Sequence, residues 1–109
     1  MSIGFATTPE PPYLAVIFTS RLSPDDAGYA AMGAEMEALA AKQPGYLGIE
    51  SARGADGVGI TVSYWRDEES VRAWKAVARH RAAQAAGRAQ WYERFEVRVA
   101  RVERAYGGP

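Results

Sequence analysis

Residues Tyr13–Leu22 place apolar side chains on both sides of an extended chain. Leu14, Val16 and Phe18 fall on one side, and Tyr13, Ala15 and Ile17, with Thr19, fall on the other. A strand of this kind has to be covered twice. In a chain of 109 residues, one layer of helices covers one side of a sheet, and the other side needs a second sheet or a second copy. A chain this short buries roughly 65% of its unfolded surface, so association is one way to complete its core.

The remaining elements fix the order around that strand. Ser23-Pro24-Asp25-Asp26 predicts a helix start, with Ser23 as cap, Pro24 at the first helical position and two acids at the positive end of the dipole. Tyr29, Met32, Met36 and Leu39 then share a face, on which Met32 and Met36 read as core. Pro44-Gly45 ends that helix after Gln43. Tyr46–Arg53 and Gly57–Trp65 read as two strands around a turn at Gly54-Ala55-Asp56-Gly57. Within them Glu50, Ser51, Thr61 and Ser63 are polar, which fits either ordinary sheet surface or the lining of a pocket.

Asp67-Glu68-Glu69 opens a second helix. Val71, Trp74, Val77 and Ala78 share one face, and the pattern runs on through His80, Ala83, Gln84 and Gly87 with a bend expected near Arg79–Arg81. Trp91–Tyr106 reads as a long final strand carrying Phe95, Val97, Val99 and Val102. Sixteen extended residues reach roughly 50 Å, longer than such a sheet pairs, so either a bulge shortens the strand or its end crosses to another subunit. Its mixed charges, with Arg94, Arg98, Arg101 and Arg104 among Glu93, Glu96 and Glu103, read as ion-paired surface or subunit contact.

Residues 1–12 form a leader, 13–106 a single domain and 107–109 a tail. The order β-α-β-β-α-β is the ferredoxin-like α+β arrangement, a four-stranded antiparallel sheet with both helices on one face. Two copies that press their bare faces together form a dimeric α+β barrel, so a homodimer is expected.

Charge and composition exclude several functions. Thirteen Lys and Arg balance thirteen Asp and Glu, so no global charge draws the chain to nucleic acid or to an anionic membrane. With no cysteine, thiolate catalysis, disulfides and iron–sulfur ligation are out. The longest strongly apolar run, Tyr13–Phe18, is too short to span a bilayer, and no signal peptide is read, so the expected location is the cytoplasm. A single histidine without a carboxylate cluster makes no metal site.

This order, together with Gln43-Pro44-Gly45-Tyr46-Leu47-Gly48, Ile60-Thr61-Val62-Ser63-Tyr64-Trp65 and Ala73-Trp74-Lys75, resembles the antibiotic biosynthesis monooxygenase-like family of dimeric α+β barrels over about residues 13–106. The resemblance implies small-molecule chemistry, with cofactor-independent oxygenases, haem-degrading enzymes and isomerases among the relatives. The haem-degrading branch uses an asparagine, a tryptophan and a histidine. Trp74 matches the tryptophan, but Ser20 stands at the asparagine position and Gln84 at the histidine position.

In such a fold the pocket lies between sheet and helices. His80 and Gln84 are four apart on one helical face, and Trp74 is ten residues before Gln84, close to three turns. On this reading His80 is the base that deprotonates a phenol or enol, and Gln84 orients the ring. Trp74, Trp65 and Tyr64 pack the substrate, with Ser20 on the first strand beside it. Arg79 and Arg81 favour the neutral imidazole. The structural reading stands beside it: His80 as a capped or hydrogen-bonded structural residue, Trp74 as core, Gln84 and Arg88 as surface or pairing residues. The expected function is a monooxygenase-like enzyme with no cofactor, acting on a small hydrophobic or aromatic molecule. The alternatives are a non-catalytic dimeric metabolite-binding protein and a haem-binding or haem-degrading one.

Overall fold

The computed structural model describes residues 4–24, 28–85 and 91–109. Six elements follow in order: β1 (Tyr13–Leu22), α1 (Tyr29–Ala41), β2 (Tyr46–Arg53), β3 (Val58–Trp65), α2 (Glu68–Ala85) and β4 (Tyr92–Val102). The four strands form one antiparallel sheet in the order β2-β3-β1-β4. This is the expected ferredoxin-like arrangement. No described helix is long and apolar enough to cross a membrane.

Strand register decides which residues meet. Leu14 lies opposite Trp65, Val16 opposite Ser63 and Phe18 opposite Thr61. On the other edge of β1, Val16 faces Val99, Phe18 faces Val97 and Ser20 faces Phe95. Partners across a ladder share a side of the sheet, so these residues form one surface, and the helices pack on it. Leu14, Ala40 of α1, Trp65 and Val71 of α2 make the buried cluster, with Val16, Tyr46 and Trp74 against it. The apolar face predicted for α2 is therefore the one that docks.

The first helix starts later than its sequence signals suggest. Ser23 donates its N–H to the Trp91 carbonyl (2.7 Å), which prolongs the pairing of β1 with β4. The cap position falls instead to Gly28, in the left-handed region at φ 84°. Asp25 and Asp26 lie outside the described residues, as do Gly87 and Arg88. The helix is not interrupted at Arg79–Arg81; α2 runs unbroken from Glu68 to Ala85.

β4 is shorter than expected. It stops at Val102 rather than Tyr106. At its start Arg94 pairs with Arg21 but Tyr92 pairs with Leu22, so Glu93 is an extra residue in the ladder. This is a β-bulge, one of the two expected ways to accommodate the long strand.

The helix-free side is covered at one end by the leader. The Ala6 N–H donates to Glu50 Oε2 (3.0 Å), and Thr8 and Tyr13 share a hydrogen bond between hydroxyls (3.0 Å). Tyr13 and Ala15 are consequently buried, while Ile60, further along the same side, stays exposed.

Two local devices join α1, β2 and α2. Asp67 caps α2, its Oδ1 accepting the Ser70 N–H (2.9 Å) and the Ser70 hydroxyl (2.7 Å). Gly45, at φ 84°, lies directly against Ser70: a Cβ there would stand 1.9 Å from Ser70 Oγ. Gly45→Ala is therefore expected to cost on the order of 1–3 kcal/mol from backbone strain alone, seen as a lowered urea midpoint. An unchanged midpoint would contradict the contact. The Ser70 bonds hold the Asp67 carboxyl below its ordinary value of 3.8. A carboxyl depressed in the folded state adds stability above its unfolded value and loses it as pH falls through the folded one. Asp67→Ala should lower the midpoint at pH 7, and the gap should close as pH drops below 3.8.

Candidate functional site

The helix-facing side of the sheet divides into two halves of different character. At the Leu14 end it is filled. Trp65 has no exposed surface; its ring stacks on Trp74 (centroids 5.7 Å apart, planes at 20°) and meets Tyr46 edge-on at 5.6 Å. Its indole N–H donates to Ser63 Oγ (2.8 Å), so the buried donor is satisfied. The structure brings the two expected substrate-binding tryptophans together, as core packing with no space between them.

The Ser20 end is polar and aromatic. Ser20 is 3% exposed and is held by Arg53, the last residue of β2. Arg53 Nη2 donates to Ser20 Oγ (2.7 Å) and to the Tyr29 hydroxyl (3.1 Å). Its Nη1 donates to the carbonyls of Ser20 (3.3 Å) and Gly57. The guanidinium also lies over the Tyr29 ring, 5.2 Å from its centroid, a cation–π contact. It occupies this place because Gly59, opposite Arg53 in the ladder, has no side chain: a Cβ there would stand 2.6 Å from Arg53 Cζ.

Aromatic rings extend the site toward β4. Phe18 stacks on Phe95 at 5.6 Å and meets Tyr92 edge-on at 5.4 Å. Tyr92 meets Tyr29 at 5.6 Å. Burial raises the Tyr92 phenol above its ordinary value, and a hydrogen bond with Tyr29 raises it further. It is thus a neutral hydroxyl at physiological pH. Beyond it Phe95, Val97 and Val99 are 58%, 49% and 51% exposed, an open apolar shelf on the helix-facing side of β4.

The electrostatics of this end follow from what Arg53 lacks. Among the described residues no carboxylate pairs with it; its partners are neutral oxygens. A half-buried cation with neutral partners stabilises an anion nearby. Together with phenolic hydroxyls and flat apolar walls, it suits an aromatic ring that carries an ionised oxygen.

The other expected site residues lie elsewhere. Tyr64 is on the opposite side of the sheet from Trp65, because consecutive strand residues alternate. There its ring meets Tyr13 edge-on at 5.7 Å and its hydroxyl donates to Glu50 Oε1 (2.7 Å). Burial, then the Glu50 bond, pushes its pKa up to about 12. His80 and Gln84 are both exposed and lie 3.3 Å apart, Nε2 to Nε2. They share a face as expected, but not the sheet-facing one: His80 follows buried Val71 by nine steps of about 100°, which is half a turn away. Arg81 is taken up by Glu35 of α1, whose carboxyl is lowered first by that hydrogen bond. Among the described residues no three His, Asp or Glu side chains group closely enough to hold a metal ion.

Sequence reasoning passed over Arg53, Tyr29 and Tyr92. The available signal was the β2–β3 register: aligned around the Gly54–Gly57 turn, it sets Arg53 against Gly59 on the side that holds Ser51 and Thr61, themselves hydrogen-bonded at 2.8 Å.

Comparison with known proteins places this geometry among relatives. Residues 15–86 match the family model described as antibiotic biosynthesis monooxygenase. The uncharacterized protein YqjZ of Bacillus subtilis (strain 168) is 54% identical over 97 residues, which is 89% of this chain and 85% of that protein. Among solved structures, a mutant of SnoaB, a cofactor-independent oxygenase from Streptomyces nogalater, superposes with TM-score 0.66 at 18% identity, over 81% of this chain and 90% of that one. A mutant of MhuD with two manganese protoporphyrin IX bound per active site superposes with TM-score 0.63 at 23% identity, over 87% and 99%. At these identities the structural likeness is one of fold.

Proposed function

The chain belongs to the antibiotic biosynthesis monooxygenase family, and from that premise we propose that it is a cofactor-independent monooxygenase-like enzyme acting on a small aromatic or enolic substrate between sheet and helices. The observation that carries this reading is Arg53, a half-buried cation with neutral partners at the end of an aromatic row. SnoaB, a cofactor-independent oxygenase of the same fold, supplies the reaction type.

In this proposal the substrate ring lies along Phe18 and Phe95, with its hydroxyl oxygen toward Arg53, Tyr29 and Tyr92. The cation lowers the pKa of the bound phenol or enol, so the substrate binds as its anion and its proton passes to water at the open β4 side. The anion gives one electron to dioxygen, and the resulting radical and superoxide combine to a peroxide. Protonation and loss of water leave a new carbonyl. One oxygen atom enters the product, the other leaves as water, and the substrate supplies the electrons. His80 and Gln84, on the outer face of α2, take no step. Trp74, the position shared with the haem-degrading branch, is stacked into the core, which argues against a haem plane there.

A second reading has one observation in its favour. The described residues around Arg53 include neither an imidazole nor a carboxylate to serve as base, which suits a protein that binds such an anion without turning it over. Oxygen consumption with polyphenolic quinols separates the two. Turnover is expected in the wild type, with a loss of roughly 10²–10³-fold in Arg53→Ala. A smaller loss is expected in Gly59→Ala, whose methyl displaces the guanidinium while the circular dichroism stays native. His80→Ala and Gln84→Ala should turn over like wild type. Equal turnover in Arg53→Ala would overturn the assignment, and saturable quinol binding without oxygen uptake would establish the binding protein.

The proposed working form is a cytoplasmic homodimer joined through the helix-free side, where Ile60 is exposed beyond the reach of the leader. Sedimentation velocity at micromolar concentration should give a two-chain species. A single-chain species would end this part of the proposal.

A further inference from the structure

The helices leave one strand bare. Leu14, Ala40, Trp65 and Val71 close the core over β1 and β3, but every residue of β4 from Glu93 to Arg101 is exposed. On the helix-facing side Phe95, Val97 and Val99 stand opposite Ser20, Phe18 and Val16. Arg101 follows on that side, since it stands opposite Leu14. Ile60, which pairs with Thr19, belongs to the other side of the sheet, so the proposed homodimer leaves this strip open.

Two properties of the strip call for something outside the chain. Edge strands are ordinarily blunted with charge, whereas three large apolar side chains follow one another here, as they do on binding surfaces. The far end of the strip is a cation. Among the described residues no carboxylate pairs with Arg101, and its neighbours across the ladders, Leu14 and then Trp65, carry no charge. The strip therefore runs between two guanidiniums, Arg53 at the Ser20 end and Arg101 at the Leu14 end. Phe95 and Arg101 are six strand steps apart, roughly 20 Å, which is longer than one aromatic ring with its hydroxyl.

We infer that the substrate is an elongated amphipath: a phenolic or enolic ring at Arg53, an apolar arm along Val97 and Val99, and a terminal carboxylate on Arg101. This rests on the ring site proposed above and names the kind of molecule it takes. A guanidinium fork matches the paired oxygens of a carboxylate. One cation between uncharged neighbours suits one negative charge better than the nearly two of a phosphate monoester. The arginine stem can lie along apolar surface, so the arm need not span the full distance. Arg101 takes no part in the chemistry; it selects the substrate and fixes how far the ring slides along β4.

Anaerobic calorimetric titration with three probes tests this: hydroquinone, hydroquinone bearing an octyl chain, and hydroquinone bearing a chain of that length that ends in carboxylate. The arm should tighten binding about tenfold or more over hydroquinone, and the carboxylate about fivefold further. The carboxylate's advantage over the octyl chain should vanish in Arg101→Gln and persist in part in Arg101→Lys. Val97→Ser with native circular dichroism should reduce the advantage of the arm. If the carboxylate gives no advantage in the wild type, or keeps it in Arg101→Gln, the inference is overturned, while hydroquinone binding that depends on Arg53 leaves the ring site standing. Failure of all three probes to bind would overturn both. Loss of two-chain association in Val97→Ser would show that a second copy covers the strip, and would likewise overturn the inference.

Discussion

Neighbouring residues of a strand point to opposite sides of its sheet, and this rule governs most of what the molecule can do. Tyr64 and Trp65 are adjacent in sequence, yet one hydrogen-bonds Glu50 beneath the leader and the other is sealed under the helices. The alternation of β1 divides the chain in the same way. Leu14, Val16 and Phe18 build the helix side, while Tyr13, Ala15 and Ile17 build the side that the leader covers only in part. Ser20, bonded to Arg53, and Arg21, opposite Arg94, stand back to back on β1 for the same reason.

The helix side spends its apolar character unevenly. Trp65, Trp74, Tyr46 and Leu14 pack solidly at one end, which gives a small domain the buried area it needs. The opposite end replaces apolar packing with Arg53, Ser20 and Tyr29, a hydrogen-bonded group whose only charge is the guanidinium. A half-buried cation satisfied by neutral oxygens is a poor means of adding stability. Its presence beside an open row of phenylalanine and tyrosine is what gives the proposed chemistry its location.

The fold was legible where local pattern and tertiary packing agree. Tyr13–Leu22 and Tyr46–Arg53 have the bounds expected of them, because period-two patterning and turn residues mark both ends. The start of α1 was not legible, since the Ser23 N–H is claimed by Trp91 from the far end of the chain, a partner that no local signal reveals. The site was read least well for a related reason. Arg53 meets Ser20, Tyr29, Gly57 and Gly59, residues from β1, α1, a turn and β3, so its surroundings exist only after the sheet has formed. The His80–Gln84 pairing was legible from helical spacing, but which way that pair faces depends on how α2 is rotated against the sheet, and that is set by Val71 and Trp74.

Glu93, the one surplus residue in the β1–β4 ladder, sets the parity of everything before it. Because of it, Tyr92 and Phe95 project to the same side although they are three positions apart, and Tyr92 joins Phe18 instead of the arginines. Were Glu93 instead paired regularly opposite Leu22, Tyr92 would pass to the opposite surface, emptying the proposed site of its hydroxyl and placing a phenol ring on the side of Arg94. Loss of the bulge without loss of a residue would exchange functional groups between the two sides of the sheet without altering a helix, and descendants of a common ancestor could diverge in ligand by that route alone.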